Sequence, residues 1–263
     1  MKKIILLIFC FALLFGKNSD IENLQNECIK KREMACVTLG NLYENGKGGE
    51  QDYKKANELY MASCNSGIGI GCYSAGNLYY NGKGVRQDLT KANELFMTSC
   101  DLKYGKGCFF IGSSYLKGKS VKKGITKAIQ LFTRACNLEN SEGCFSLGLF
   151  YEQGKIIKQD LKISISFYEK ACGLNESGAC HILGMKYLSG TGVRQDFTKA
   201  LKYLASACNL DNPGGCLGLF IMYYDGKGVK QNKRIAREYT ERACNLGSQE
   251  GCDLYKNLTE QGL

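Results

Sequence analysis

Apolar positions along this chain follow the spacing of short helices, and the whole pattern returns every 36 residues. Leu147, Phe150 and Tyr151 stand three and four apart, as do Ala128, Leu131 and Phe132, so both stretches present one apolar face at helical period. A unit opening at Gly71 and Cys72 returns, with substitutions, from residues 35, 107, 143, 179 and 215. Each unit reads as helix, loop, helix. Self-similarity at this period means stacked units, none of which buries its apolar face without a neighbour.

The punctuation agrees with the periodicity. Gly82, Lys83 and Gly84, with their counterparts, end the first helix because glycine accepts left-handed backbone angles. Asp52, Asp88, Asp160 and Asp196 then stand where the second helix needs a cap. Inside the first helix, Gly40, Gly76, Gly112, Gly148 and Gly184 share one position. A mid-helix glycine costs about 1 kcal/mol, so its recurrence predicts close approach of a neighbouring element. The expected partner is the small residue of the second helix, at Ala56, Ala92, Ala128, Ser164, Ala200 or Ala236. Tyr43, Tyr79, Tyr115, Tyr151, Tyr187 and Tyr223 form another column, read as core.

Residues 1–16 are expected to be a secretory signal peptide: Lys2 and Lys3 precede an apolar run over 4–15 and then Gly16. That run is too short to span a bilayer, and no transmembrane segment is expected in the mature chain. Residues 17–34 then form an N-terminal capping half-repeat, 35–250 six repeats, and 251–263 a C-terminal capping helix whose outer side carries Lys256, Asn257, Glu260 and Gln261. Length alone, at 263 residues, would suggest one or two domains, but the period overrides it. The net charge of +10 favours anionic partners such as lipid headgroups, cell-wall polymers or acidic proteins. It is not gathered into a basic tract, and no nucleic-acid partner is expected.

Cysteine changes the picture most. Fourteen of the fifteen cysteines stand in pairs: Cys28 and Cys36, Cys64 and Cys72, Cys100 and Cys108, Cys136 and Cys144, Cys172 and Cys180, Cys208 and Cys216, Cys244 and Cys252. The fifteenth, Cys10, lies in the apolar leader and leaves with it. Repeat symmetry allows two registers, each cysteine bonding the one eight positions on or the one 28 positions on, as Cys36 with Cys64. The second strands Cys28 and Cys252. The first uses every thiol, and seven local bridges are expected, each worth roughly 2 to 3 kcal/mol by loop entropy. Such cysteine usage places the chain in an oxidising compartment. With no Cys-x-x-Cys and a single histidine, neither a metal nor another cofactor is expected.

The column of Gly76 and Tyr79, the loop from Gly82 to Val85, the capping Asp88 and the following Lys91 and Ala92 resemble the Sel1-like repeat, a relative of the tetratricopeptide repeat. With the leader and paired cysteines, the chain is similar to the Helicobacter cysteine-rich protein family over essentially its whole mature length. That resemblance implies an all-α fold, an αα-solenoid coiled as a right-handed superhelix of 36-residue repeats with one disulfide each. It implies secretion to the periplasm or the extracellular space. It also implies penicillin binding or slow β-lactam hydrolysis, contacts with host proteins, and protein binding as the general role of the class. The third repeat departs, with Ser120, Lys123 and Gly124 where others read Gly, Gln and Asp, and the fourth has Ile156 for a loop glycine. Those two loops are expected to bend differently.

Catalytic chemistry is hard to find. A serine β-lactamase needs Ser-x-x-Lys with companion elements; Ser114 with Lys117 and Ser120 with Lys123 match the first, and neither companion is present. Ser114 stands where other repeats carry Leu, Phe or Met, and reads as a tolerated core substitution. His181, the only histidine, replaces aromatic or aliphatic residues and reads as packing. Whether the chain is an enzyme stays open at this level, with catalytic residues unassigned and β-lactam hydrolysis in a nonstandard site as the alternative to binding. A scaffold asks instead for a variable surface on the stacked first helices. One such column holds Asn41, Asn77, Leu149, Met185 and Ile221, and another holds Glu44, Tyr80, Leu116, Glu152, Leu188 and Tyr224. These positions form the expected groove for an extended peptide or protein ligand, with β-lactams or cell-wall fragments as further candidates.

Overall fold

The computed structural model describes residues 21–30, 34–47 and 50–262, so the expected signal peptide over 1–16 and Cys10 lie outside the described residues. Within these, fourteen helices form and there is no strand. Two compact units divide the chain after Leu138. The first contains α1 (21–29), α2 (Ala35–Glu44), α3 (Tyr53–Asn65), α4 (Gly69–Asn81), α5 (Leu89–Asp101), α6 (Gly105–Lys117) and α7 (Ile125–Asn137). The second contains α8 (Ser141–Gln153), α9 (Leu161–Gly173), α10 (Ser177–Ser189), α11 (Phe197–Asn209), α12 (Pro213–Asp225), α13 (Lys233–Asn245) and α14 (Gln249–Glu260). In each unit even-numbered helices are the first of a pair and odd-numbered ones the second. Within each unit α2 to α7 and α8 to α14 each pack on their chain neighbours, and first helices also touch the next first helix, as α4 with α6 and α10 with α12. This is an αα-solenoid arrangement.

Helix ends follow the chemistry of the chain. Gly82, Gly118, Gly154, Gly190 and Gly226 cap their helices in the left-handed conformation. The side chains of Asp52, Asp88, Asp160 and Asp196 each accept the backbone N–H three residues on, at 2.9 to 3.0 Å. The third-repeat loop closes like the others, contrary to the expectation from its sequence, whereas the fourth bends differently, since Ile156 does not take the left-handed φ of Gly84, Gly192 and Gly228. Gly124 and Asp160 donate their N–H to the carbonyls of Tyr115 and Tyr151 at 3.0 Å, as Asp88 does to Tyr79. Ser120 takes the left-handed φ of 53° that glycine takes elsewhere. First helices start at Gly69 and Gly105, two residues ahead of Gly71 and Gly107, so the recurring glycine–cysteine pair lies inside the first turn.

The bridges follow the local register. Cys28–Cys36, Cys64–Cys72, Cys100–Cys108, Cys172–Cys180, Cys208–Cys216 and Cys244–Cys252 are disulfides with Cα separations of 4.4 to 4.8 Å. Cys136 and Cys144 are disulfide-bonded as well. Each resolved bridge staples a second helix to the first helix that follows. Seven disulfides indicate an oxidising, non-cytoplasmic environment. No helix among the described residues is long and apolar enough to cross a membrane.

The glycine column is crowded chiefly by a large second-helix residue, while the expected small residue makes contact where Ser164 donates to the Gly148 carbonyl at 2.8 Å. A Cβ added to Gly40 would lie 2.6 Å from the ring of Tyr60, one on Gly76 2.8 Å from Phe96, and one on Gly148 2.6 Å from Tyr168. At Gly184 the obstacle is Leu204, at 2.5 Å. The partner is the large residue four positions beyond the alanine, because one helical turn carries it across to the facing first helix. Ala56, Ala92, Ala128, Ala200 and Ala236 are fully buried and leave room for that insertion. The sixth repeat inverts the sizes: Phe220 stands in the glycine column and the buried Thr240 in the large-residue column. Of the tyrosine column, Tyr43 and Tyr187 are buried and the other four half-buried. Tyr151, Tyr187 and Tyr223 stack on Phe167, Tyr203 and Tyr239 with centroids 5.7 Å apart.

Candidate functional site

The first helices bring Glu44 and Glu152 to equivalent places, and both carboxylates are already engaged. Tyr60 donates its hydroxyl to Glu44 at 2.6 Å, with the Asn41 side-chain amide 2.8 Å from the same oxygen. Tyr168 donates to Glu152 at 2.5 Å. Where the large-residue column carries a phenol, the first-helix column carries its acceptor. With Phe96, Phe132 or Leu204 instead, the corresponding groove residues are Tyr80, Leu116 and Leu188. Burial and the neighbouring carboxylate push Tyr60 and Tyr168 far above the usual tyrosine range.

Lys186 completes the cluster around Glu152. Its ammonium lies 2.5 Å from the carboxylate, with side chains 10% and 28% exposed respectively. Burial alone would raise Glu152, but the bonds from Lys186 and Tyr168 outweigh it and hold the carboxyl below its ordinary value. Lys186 was not singled out from the sequence, although it is the one charged residue in a column of Leu42, Leu78, Ser114, Phe150 and Met222. A second unforeseen contact recurs in the loops: Gln51, Gln87, Gln159, Gln195 and Gln231 each donate to a first-helix carbonyl at 2.7 to 2.8 Å. The acceptors are the carbonyls of Glu44, Tyr80, Glu152, Leu188 and Tyr224, so the backbone of that column is pinned while its side chains vary.

The remaining groove positions divide by exposure. Asn41 is exposed, and Asn77, Leu149, Met185 and Ile221 are half-buried, as are Glu44, Tyr80, Leu116, Glu152 and Tyr224. Leu188 is 7% exposed and spends its surface in packing. A pocket of about 180 Å³ opens between Tyr80 and α6, where Ser114 and Lys117 share its lining. His181 packs against Gly214, whose added Cβ would lie 2.9 Å from the ring, and burial lowers its pKa. Among the described residues no group of three or more His, Cys, Asp or Glu side chains is placed to hold a metal.

The Sel1 repeat pattern matches six segments: 34–67, 69–104, 105–140, 141–176, 177–212 and 214–248. The chain belongs to the Sel1 repeat family. Sel1 units thus occupy nearly all of the described residues, as in a repeat scaffold of the protein-binding class. Among solved structures, a protective antigen of uropathogenic Escherichia coli is 24% identical, with a TM-score of 0.79 over 92% of this chain and 52% of that one. This chain therefore spans about half the length of that antigen. A Sel1 repeat protein from Oxalobacter formigenes is 24% identical, with a TM-score of 0.77 over 89% of this chain and 97% of that one. Helicobacter pylori cysteine rich protein B is 37% identical over 52% of this chain and 98% of its own length, with a TM-score of 0.41. Among curated protein sequences none matches.

Proposed function

We propose that this Sel1 repeat protein is a secreted, disulfide-stapled scaffold that binds an extended peptide or protein segment on its first-helix faces. The observation that carries the reading is the contrast within each repeat. Bridges and helix caps recur from repeat to repeat, while partly exposed first-helix positions run through Asn77, Ser113, Leu149, Met185 and Ile221. A surface whose frame is rigid and whose side chains differ from repeat to repeat suits sequence-selective contact. Half-buried tyrosines such as Tyr80 and Tyr224 add large contact area at low entropic cost. Panning a random peptide library on the oxidised protein tests this, with Tyr80→Ala and Tyr224→Ala as controls. Peptides that ignore both substitutions would refute the assignment to this face. Secretion is tested by N-terminal sequencing of exported protein, which is expected to begin near residue 17.

A second reading, β-lactam hydrolysis, has one observation in its favour: Ser114 and Lys117 line the same pocket. Against it, the sequence holds neither companion element that a serine β-lactamase needs beside Ser-x-x-Lys. Nitrocefin turnover by wild-type protein, abolished in Ser114→Ala, would establish it. Turnover indistinguishable from buffer would dismiss it.

A further inference from the structure

We propose that the pocket between α4 and α6 is a carboxylate subsite, taking one ligand residue that presents a carboxylate together with an apolar side chain. The inference rests on the scaffold reading and adds the chemistry of one place on it. Tyr80, Phe109 and Phe110 supply aromatic walls. Ser113 and Ser114 offer hydroxyls, and Lys117 and Lys119 bring two ammonium groups to the rim; no lining residue is acidic. A volume of about 180 Å³ admits a single side chain and not a polymer.

The position of Lys119 is specific to this repeat. One repeat earlier, Lys83 lies over the ring of Tyr53, 5.3 Å from its centroid. The residue equivalent to Tyr53 one repeat on is Leu89, which offers no π face. Lys119 turns instead to the first-helix face, where its ammonium donates to the Tyr80 hydroxyl at 3.2 Å. Its backbone is held there: Asn93 donates its side-chain amide to the Lys119 carbonyl at 2.8 Å, and Ser120 beside it is left-handed. In the first and fourth repeats the position of Tyr80 carries a glutamate consumed by a phenol. Here the sign is reversed: two lysines and two serines line the pocket, with no carboxylate among them. A carboxylate reaching both lysines gains charge-assisted hydrogen bonds, and the adjoining Phe109 and Phe110 favour an apolar neighbour.

The test is an NMR titration of the ¹⁵N-labelled, oxidised full chain with three probes: N-acetyl-leucine, N-acetyl-leucinamide and N-acetyl-glutamic acid α-amide. The backbone amides of Phe109 to Lys119 are expected to shift with the acids, and N-acetyl-leucine to bind at least fivefold tighter than its amide. Lys119→Gln is expected to weaken the acids roughly tenfold, the loss of one charge-assisted bond. Lys155→Gln, in the corresponding loop of the next repeat, is expected to change nothing. Whichever acid binds tighter tells a C-terminal carboxylate from an acidic side chain. Equal binding of acid and amide, full affinity in Lys119→Gln, or no shift at these amides would each overturn the subsite. Library peptides that bind wild type and Lys119→Gln alike would sink the subsite and leave the scaffold standing; absence of any peptide ligand would sink the scaffold itself.

Discussion

Replacing the Glu152–Tyr168–Lys186 cluster by residues taken from other repeats is expected to leave stability nearly unchanged, although single replacements are costly. The substitutions are Glu152→Leu, as Leu116; Tyr168→Phe, as Phe132; and Lys186→Met, as Met222. Removing one partner of a fully buried ion pair costs about 3 to 5 kcal/mol, because the other charge remains desolvated. The Glu152 side chain keeps 28% of its exposure, so Lys186→Met is expected to cost about 2 kcal/mol. Lys186 is only 10% exposed, and Glu152→Leu strands both its ammonium and the Tyr168 hydroxyl, at about 3 kcal/mol. The triple variant strands nothing and is expected within about 1 kcal/mol of wild type. Urea unfolding of the oxidised proteins reads this directly. At a slope of about 2 kcal/mol per molar, the single variants shift the midpoint down by roughly 1 to 1.5 M. A triple variant as unstable as the worse single would refute the reasoning, since the cluster would then be net stabilising beyond the hydrophobic alternative.

Gly148→Ala forces a methyl to within 2.6 Å of the Tyr168 ring and is expected to cost roughly 2 to 3 kcal/mol, whereas the same change at the uncrowded Gly173 is expected to stabilise slightly; thermal melts of both variants check the pair. At high pH, Tyr60 and Tyr168 favour the neutral phenol in the fold, and Tyr203 is pushed up to about 12. Their stabilisation is complete below pH ~10 and is lost as pH rises toward and past 12, so melting temperature is expected to fall from about pH 10 upward, and less so in a Tyr60→Phe, Tyr168→Phe double variant. Glu152 acts in the opposite sense: its contribution is present above about pH 4 and lost as pH falls through its lowered value. Cys64→Ser with Cys72→Ser is expected to lower stability by roughly 2 to 3 kcal/mol, measured by urea unfolding, and a change under 0.5 kcal/mol would contradict the loop-entropy argument.

Features confined to a short stretch of chain were legible in the sequence, because spacing along the chain reports them. The capping of α5 by Asp88, the left-handed Gly82 and the local cysteine register all involve residues within eight positions of each other. Contacts between helices were legible only as columns. That Gly76 recurs signals a close approach, but the identity of Phe96 as its neighbour depends on the relative rotation of α4 and α5, which periodicity does not specify. The groove columns suffered the same limit: Glu44 and Glu152 look free in sequence, and are held by phenols sixteen residues away. Phe220 with Thr240 and Glu152 with Tyr168 show that columns read in pairs recover some of this. Lys186 carried its own signal, a charge in an apolar column, whose partner only the packing supplies.

A scaffold of this kind is defined by the face on which its ligand binds. A peptide selected on the oxidised wild-type protein should lose at least tenfold in affinity with Leu116→Asp, on a half-buried first-helix position, and keep its affinity with Ile163→Asp, on an exposed second-helix position. Isothermal titration of these three proteins gives the comparison, and a peptide that tolerates Leu116→Asp but fails on Ile163→Asp would contradict the first-helix face as the binding surface.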